Sequence, residues 1–272
     1  MRASSGEVLV FLDADTTFTR PDALAGLLQL HDRHGGLVSV QPFHRVERPH
    51  EQLSAYFNVV SLMASAAFTG RREPPAMAFG PCLVTSREDY RRAGGHAAVR
   101  SEILDDVSLA GAYRRAGLDV RCVAGGDAVA MRSYPAGLRQ LVAGWTKNIA
   151  SGAAAASPAA TAGAVAWVCA QHAVAVGALL ALVEAATGWG ALAAGRPLLW
   201  AVAWVAVAVQ LRLLLRRVGS FRWWTWAIFP VPLLAFDLVF ARSALLTAVR
   251  RSVRWRGREV DLHRRGPGQE VT

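Results

Sequence analysis

The sequence predicts an α/β domain followed by an α-helical membrane region, and two contrasts along the chain support this class. Short apolar runs alternate with amphipathic stretches in the first half, as strands alternate with helices in α/β proteins. The second half is more apolar, with no Asp, Glu, Lys or Arg between Lys147 and Glu184. The whole chain is 53% hydrophobic, above the roughly 45 to 50% of soluble domains. We therefore expect an α/β domain at residues 1–152 and a transmembrane region at residues 153–272.

The first predicted elements form a strand–helix–strand unit. Residues 8–12 are a continuous apolar run, which predicts a buried strand. Asp22 opens a helix with leucines at helical spacing, and Gly35 and Gly36 close it. Residues 37–40 then predict a second buried strand.

The later elements of the α/β domain alternate in the same way. A long helix with a broad apolar face is expected at residues 52–68, either in the core or lying on the membrane. The capping-box spacing of Thr85 and Glu88 predicts a short helix that ends at Gly94. The remaining expected elements are a strand at 78–85, a helix beginning at 104–106 and a strand at 118–123.

Three apolar segments are expected in the membrane region. Residues 160–183 would rise roughly 36 Å as a helix, against a hydrocarbon core of roughly 30 Å. Residues 197–215 predict a second span. The third segment, residues 223–249, is interrupted by prolines and charged residues, which fits a kinked span or a re-entrant helix pair. His172 lies in the first span, where an ionisable group should face a partner helix or a polar path.

The charge distribution indicates a membrane partner rather than nucleic acid. The net charge is +10 and the pI about 10.8, but the arginines flank the apolar segments and form a basic tail, as positive-inside orientation and anionic lipids favour. If the α/β domain is cytoplasmic, two spans return the chain to the cytoplasm, and a re-entrant third segment keeps the tail there. The expected location is therefore the plasma membrane, with several passes. The oligomeric state is left open.

The cysteines support a cytoplasmic face. Cys82, Cys122 and Cys169 are widely spaced in apolar surroundings. They are expected to be reduced, buried thiols.

The strand at residues 8–12 ends in two alternate aspartates, Asp13 and Asp15. Residues i and i+2 of a strand face the same side, so both carboxylates can point out of its carboxyl end, where α/β sheets bind ligands. Hard carboxylate oxygens suit Mg²⁺ or Mn²⁺. The alternative is a strand followed by an Asp-capped turn.

Asp105 and Asp106 form a second acidic cluster at a predicted helix start. Carboxylates cap helix N-termini, and this role fits Asp105. Asp106 is one position further inside, where the helix dipole favours the ionised form that a general base needs. Helix capping alone is the alternative for both residues.

One enzyme class that fits these acids is the haloacid-dehalogenase-like phosphatases. Their Asp-x-Asp-x-Thr pattern is met by Asp13, Asp15 and Thr17. That pattern requires a lysine between the two acidic motifs, and the only lysine, Lys147, follows both. This makes the phosphatase the less favoured alternative.

Several segments stand in a distinctive order along the chain: Gly6-Glu7 before the Asp-x-Asp strand, then residues 79–82 with 94–96, 102–109, 132–135 and 144–148. This order resembles that of the family 2 (GT-A fold) inverting glycosyltransferases. The segment Gly144-Trp145-Thr146-Lys147-Asn148 is similar to that of membrane members with lipid acceptors, such as the carotenoid-acid glycosyltransferases. In polysaccharide synthases the corresponding motif is Gln-x-x-Arg-Trp.

The resemblance implies a GT-A-like (Rossmann-like) domain that binds a nucleotide-sugar donor, expected to be a UDP-sugar. Its diphosphate would be bridged by Mg²⁺ or Mn²⁺ to Asp13 and Asp15, with Arg132, Trp145 and Lys147 also on the donor side. An interfacial anchor is the alternative role for Trp145.

On the acceptor side, the resemblance implies a lipid or carotenoid-like acceptor. Asp106 is the expected catalytic base, which deprotonates an acceptor hydroxyl or binds an acceptor acid, so that attack inverts the anomeric carbon. Asp105, Cys82 and His96 are further acceptor-side candidates.

Members of the resembled family begin with a strand, a helix and a second strand that build the nucleotide pocket before the Asp-x-Asp. We therefore expect the N-terminal part of the domain to be missing and sugar-nucleotide binding by this chain alone to be weak. The alternative function is a catalytically inactive, membrane-anchored fragment that acts as a scaffold.

Overall fold

The computed structural model describes residues 5–65, 78–99, 105–152, 157–188, 197–250, 252–255 and 258–261. The strands are β1 (Val8–Leu12), β2 (Thr16–Phe18), β3 (Leu37–Gln41), β4 (Phe43–His44), β5 (Cys82–Ser86), β6 (Val120–Ala124), β7 (Val129–Met131), β8 (Ser252–Trp255) and β9 (Arg258–Asp261). The helices are α1 (Ala23–His34), α2 (Ala55–Ala64), α3 (Arg87–Arg92), α4 (Asp105–Arg115), α5 (Leu138–Gly152), α6 (Pro158–Thr187), α7 (Pro197–Val218), α8 (Trp223–Ala227) and α9 (Pro230–Arg250). The predicted class, an α/β domain followed by apolar helices, is confirmed.

The main sheet has the strand order β1-β5-β3-β6. Strand β5 is antiparallel to both β1 and β3, whereas β3 and β6 are parallel. Strands β1 and β3 therefore run in the same direction with β5 between them. The predicted strand–helix–strand unit exists, but a strand from later in the chain is inserted into it. All five residues of β3 are buried, because helices cover both faces of this central strand.

A second, small sheet has the order β2-β7-β4 and joins the α/β domain to the helical region. Thr16 and His44 are both in register with Met131, one on each side. Their side chains therefore point to the same face of this sheet. His44 also forms a parallel bridge to Gly219, just beyond the end of α7.

Two predicted helix starts differ in detail from the structure. The N-cap of α3 is Ser86, whose hydroxyl accepts from the Asp89 backbone N–H, rather than Thr85 paired with Glu88. The predicted helix at 52–68 begins as a 3₁₀ helix, Pro49–Ser54, and continues as α2. Residues 66–68 of that prediction lie outside the described residues.

Helices α2 and α5 of the α/β domain pack directly on the apolar helices α7 and α9. One core cluster takes in residues from all four helices: Tyr56, Phe57 and Leu62 of α2, Leu141 and Trp145 of α5, Leu211 and Leu215 of α7, and Leu233, Phe236 and Val239 of α9. In addition, the Ser243 hydroxyl of α9 donates to the Thr146 carbonyl of α5 at 2.8 Å. The α/β domain and the helical region therefore share a continuous core.

In the part of the chain that the structure describes, three helices are long and apolar enough to cross a membrane: α6, α7, and α9 over Pro230–Thr247. They expose large apolar side chains, such as Leu182 at 67%, Leu198 at 76% and Leu238 at 63%, which suits contact with lipid. The predicted third segment contains the short α8 followed by one continuous long helix. How this segment crosses the membrane stays a prediction.

Candidate active site

The Asp-x-Asp motif forms a turn at the end of β1. The backbone N–H of Asp13 donates to the Pro81 carbonyl at 3.0 Å, and the N–H of Thr16 donates back to the Asp13 carbonyl at 3.0 Å. Asp13 and Asp15 are both exposed. Within the described residues, no group of three or more His, Cys, Asp or Glu side chains could hold a metal ion. A cation at this turn would therefore need oxygen ligands from a substrate or from water.

Asp106 is held at the start of α4 by two backbone amides. Its Oδ2 accepts from the N–H of Gly80 at 2.9 Å, and its Oδ1 accepts from the N–H of Val107 at 2.9 Å. A Cβ at position 80 would lie 3.1 Å from Asp106 Oδ2, so a glycine gives the carboxylate its close approach. Backbone N–H donors stabilise the negative charge of a carboxylate.

The dipeptide Gly80-Pro81 connects the two acidic motifs. Pro81 accepts from Asp13 on one side, and Gly80 donates to Asp106 on the other. Ser39 of β3 fixes the preceding residue, since its hydroxyl accepts from the Phe79 N–H at 2.6 Å and donates to the Phe79 carbonyl at 3.2 Å. The fold therefore brings together the predicted metal-binding and catalytic acids, which are far apart in sequence. Sequence reasoning missed Ser39, a small polar residue in an apolar strand.

Trp145 is buried and contacts side chains rather than solvent. Its ring stacks on Phe57 with centroids 4.6 Å apart, and its indole N–H donates to the Ser54 hydroxyl at 3.0 Å. This position suits packing of α5 on α2. The predicted donor contact of Trp145 stays a prediction.

Gly144 makes room for Tyr134, a residue that sequence reasoning did not single out. A Cβ at position 144 would lie 2.1 Å from the Tyr134 ring, and the Asn148 amide donates to the Tyr134 hydroxyl at 3.2 Å. Burial raises the pKa of the Tyr134 phenol, and the charge of the Asp15 carboxylate adds to this rise. Gly144 and Asn148 therefore both contact Tyr134, a residue within electrostatic range of Asp15. The structural feature that draws attention to Tyr134 is its positive φ of 61°.

Arg132, a predicted donor-side residue, is bound by two glutamates. It donates to Glu51 Oε1 at 2.8 and 3.0 Å and pairs with Glu47 Oε2 at 2.6 Å. Burial works against ionisation of Glu51, but the backbone N–H of Glu47 and the Arg132 guanidinium hold its pKa below the ordinary value. Sequence reasoning missed both glutamates. Any donor contact of Arg132 would have to be made from within this cluster.

The remaining predicted site residues are dispersed. Lys147 is half-buried on α5. His96 contacts Tyr90, whose hydroxyl oxygen lies 2.8 Å from His96 Nδ1. It also packs against the Phe11 ring. Asp105 begins α4, but its side chain lies outside the described residues, as do residues 100–104 of the acidic segment.

Cys82 lies fully buried on β5, and burial raises the pKa of its thiol to about 12. Burial likewise raises the pKa of the Cys122 thiol to about 12, with a hydrogen bond to Ser39 opposing this rise. Both are inert thiols at neutral pH. The predicted buried state fits these two residues, whereas Cys169 is exposed on α6. An acceptor-side role for Cys82 stays a prediction.

A buried polar cluster lies next to the Asp-x-Asp turn. Thr16 Oγ1, Gln41 Oε1 and His44 Nε2 have no hydrogen-bond partner among the described residues. The Asn58 amide makes long contacts, 3.5 Å each, to Gln41 and His44. Burial lowers the pKa of His44 to about 4, so its ring is neutral at physiological pH. Buried polar groups of this kind are commonly bridged by ordered water.

Residues 1–267 match the family described as Glycosyl transferase family 21. The chain belongs to glycosyl transferase family 21. The predicted class of enzyme, a glycosyltransferase of the family 2-like type, is thereby confirmed. The phosphatase alternative is set aside, because the match covers nearly the whole chain.

Named relatives of this family 21 chain are carotenoid-acid enzymes. The 4,4'-diaponeurosporenoate glycosyltransferase of Staphylococcus aureus strain MRSA252 is 32% identical over 260 residues, which cover 93% of this chain and 67% of the relative. The same enzyme of strain bovine RF122 is also 32% identical over 260 residues. The chain thus spans about two thirds of the length of these relatives.

A solved structure with a similar arrangement is a mannosyltransferase from Pyrobaculum calidifontis in complex with GDP-Man and Mn²⁺. Its TM-score is 0.40 and its sequence identity 20%, over 92% of this family 21 chain and 64% of that chain.

Proposed function

We propose that this chain carries the catalytic acids of an inverting glycosyltransferase. The enzyme transfers a sugar from a nucleotide diphosphate donor, expected to be a UDP-sugar, to a carotenoid-type acid or similar lipid in the membrane. The relatives named for a carotenoid acid support the acceptor class. The apolar helices support a membrane-embedded acceptor.

The observation that carries this proposal is the shared contact of Asp13 and Asp106 with Gly80-Pro81. A glycosyltransferase needs one group that holds the leaving diphosphate and another that receives the proton of the acceptor. The Asp-x-Asp turn suits the first role and Asp106 suits the second. Their common neighbour, Gly80-Pro81, supports a single site for the two roles.

On the donor side, exposed carboxylates at Asp13 and Asp15 fit a hard divalent cation, Mg²⁺ or Mn²⁺. Two protein ligands are a typical number for a cation that also binds substrate phosphates. When bound, such a cation stabilises the negative charge of the departing diphosphate. Tyr134, whose ring is packed against Gly144 and whose hydroxyl is bonded to Asn148, lies within electrostatic range of the Asp15 carboxylate.

On the acceptor side, Asp106 receives the proton of the acceptor carboxyl or hydroxyl group. The acceptor oxygen then forms a bond to the anomeric carbon, and the bond from that carbon to the diphosphate oxygen breaks. The electron pair leaves with the nucleoside diphosphate, and attack from the opposite face inverts the anomeric carbon. The N–H groups of Gly80 and Val107 hold the Asp106 carboxylate in place throughout.

The packing of α2 and α5 on the apolar helices supports a catalytic domain at residues 1–152 that is seated against a membrane region at 153–272. We place this domain on the cytoplasmic side of the plasma membrane, with the chain crossing several times. The arginines that flank the apolar helices support this orientation.

The test is transfer by the full chain in membranes. Membranes containing the protein are incubated with a panel of labelled nucleotide sugars and an apocarotenoid acid, and the lipids are extracted. A labelled lipid that requires Mg²⁺ or Mn²⁺ is the expected product. Asp32→Asn is the matched control for an Asp→Asn change at the site, such as Asp106→Asn, because Asp32 is an exposed acid on α1, away from the site. A folded, membrane-inserted chain that labels no lipid with any sugar would instead favour the inactive scaffold.

A further inference from the structure

An ionisable pair joins α6 to α9 within the apolar helical region. His172 Nε2 lies 2.7 Å from Asp237 Oδ2, and His172 Nδ1 lies 2.9 Å from the Val168 carbonyl oxygen. A carbonyl only accepts, so Nδ1 must carry a proton. The contact between Nε2 and Oδ2 then needs a second proton, on either the ring or the carboxyl group. The pair is therefore neutral as a whole.

This pair is open to its surroundings rather than enclosed. The His172 side chain is 42% exposed and that of Asp237 35%. Its neighbours on the outer surface are apolar and exposed, among them Val176, Leu234 and Leu238. Asp237 Oδ1 has no hydrogen bond with any described residue. A carboxyl oxygen that faces hydrocarbon without a donor is costly, so polar groups at this depth usually mark a functional path.

The neighbouring polar cluster around Gln171 is an example of a contact that serves helix packing alone. Gln171 is buried, and both ends of its amide are bonded: its Oε1 accepts from the Tyr56 hydroxyl at 3.1 Å, and its Nε2 donates to Gln210 at 3.3 Å. The Trp167 indole also donates to Gln210, at 2.9 Å. This cluster already connects α6 to α2 and α7. The pair of His172 and Asp237 differs because it leaves an acceptor oxygen unused.

Helix α2 links the pair to the catalytic side. Tyr56 packs among the apolar helices, and the charge of Asp237 adds to the effect of burial in raising the pKa of the Tyr56 phenol. Asn58, two positions further along α2, contacts Gln41 and His44 behind the Asp-x-Asp turn. Residues two apart on a helix point in nearly opposite directions. One short helix therefore separates the exposed membrane pair from the catalytic domain.

We propose that the groove between α6 and α9 at His172 and Asp237 binds the polar end of the membrane-embedded acceptor before transfer. The group bound is a hydrogen-bond donor, a hydroxyl or a protonated carboxyl, which donates to Asp237 Oδ1 while His172 holds Oδ2. The apolar surfaces of both helices take the hydrocarbon part. This inference rests on the proposed function for the identity of the acceptor, but it assigns a binding site that is separate from Asp106.

Binding is tested first without turnover. The full chain in lipid nanodiscs is irradiated with a long-chain polyene acid that carries a photoreactive diazirine near its carboxyl end, and the labelled peptides are mapped. Labelling is expected to concentrate around residues 168–176 and 234–241, and to fall about 10-fold in Asp237→Leu. Even labelling of all exposed apolar surfaces, or no change in Asp237→Leu, would overturn the proposal.

Measurements of KM and kcat then distinguish a role of Asp237 in acceptor binding from a role in helix packing. In Asp237→Leu, the KM for retinoic acid in nanodiscs should rise about 10-fold with kcat nearly unchanged, whereas the KM for the short, water-soluble sorbic acid should stay constant. His172→Gln should have a smaller effect in the same direction. Gln210→Met, which disrupts the neighbouring cluster, is the structural control. If activity fell equally with both acids, and Tm fell as it does in Gln210→Met, the contact between His172 and Asp237 would have a structural role only.

Failure of the proposed function is distinguishable from failure of this inference. If the wild-type chain labels no lipid with sugar but the diazirine probe still maps to this groove, the binding site stands and the transferase assignment falls. If sugar transfer occurs and the probe does not map there, only the groove is refuted.

Discussion

The two acidic sites of this molecule differ in what surrounds each carboxylate. Asp106 is bonded to the backbone N–H groups of Gly80 and Val107, next to the exposed Asp-x-Asp turn. Asp237 is bonded to His172 among apolar helices. A backbone amide stabilises a carboxylate without exchanging protons with it, whereas a histidine shares one. The same type of residue therefore suits proton acceptance at the first site and neutral hydrogen bonding at the second.

The largest expected effect is the loss of sugar transfer in Asp106→Asn. If transfer persisted, the proposed contrast between Asp106 and Asp237 would fail. An asparagine keeps the size of the side chain but cannot take a proton, so turnover should fall about 1,000-fold. Donor binding, measured by isothermal titration with the nucleotide and Mn²⁺, should change little. Asp32→Asn is the control. Turnover within about threefold of wild type would remove Asp106 from the role of base.

The second prediction contrasts His44 with His172, because His44 is buried and forms no ion pair with any acid among the described residues, whereas His172 is paired with Asp237. Its pKa falls from 6.5 to about 4 on folding, so the unfolded chain binds this proton at higher pH than the folded chain does. Stability is therefore lost as the pH falls from about 6.5 towards 4, by about 3 kcal/mol.

Chemical unfolding at a series of pH values measures this loss. His44→Phe preserves the ring stacking on Phe221 but removes the titrating group, so its stability should vary less over this range. An identical pH profile in the variant would show that other groups cause the loss. The depressed pKa of Glu51 acts in the same direction but at lower pH.

The third prediction concerns the donor-side acids, Asp13 and Asp15, and their expected role as metal ligands. Asp15→Asn should lower turnover about 100-fold at a fixed Mn²⁺ concentration, because a neutral amide is a weaker ligand for a hard cation. Raising the Mn²⁺ concentration should restore part of the activity. Asp13→Asn is expected to cost less, because we expect Asp15 to be the more direct ligand of the two. Equal metal dependence in wild type and both variants would contradict it.

The smallest effect concerns Gly144, which makes room for Tyr134 beside Asp15. Gly144→Ala forces the Tyr134 ring to move and should destabilise the protein by about 2 kcal/mol, as overpacking does. Gly26→Ala is the matched control, because nothing lies within 4 Å of the added Cβ in α1. That change should be neutral or stabilising by up to about 1 kcal/mol. Thermal unfolding of both variants measures the difference, and similar Tm shifts would argue against the role of Gly144.

The sequence predicted those features of the site that depend on short stretches of chain. Asp13 and Asp15 were found because a strand ends directly before them, and Asp106 because it stands at a helix start. His172 was noted because a histidine is rare in an apolar segment. Ser39, Glu51 and Tyr134 were missed or not singled out, since nothing in their own neighbourhood distinguishes them. Their roles come from contacts with residues far away in the chain.

The sequence by itself determined the main strands and helices of the α/β domain, the presence of three apolar segments after it and, through the resemblance of its motifs, the glycosyltransferase class, because periodicity, capping and motifs are local properties. Only the tertiary structure decided that β5 inserts between β1 and β3, that Gly80-Pro81 joins Asp13 to Asp106, and that His172 meets Asp237. These contacts depend on how separate elements pack. The physical reason is that packing is selected by the burial of the whole apolar surface and the pairing of all strand edges together, which no local pattern encodes.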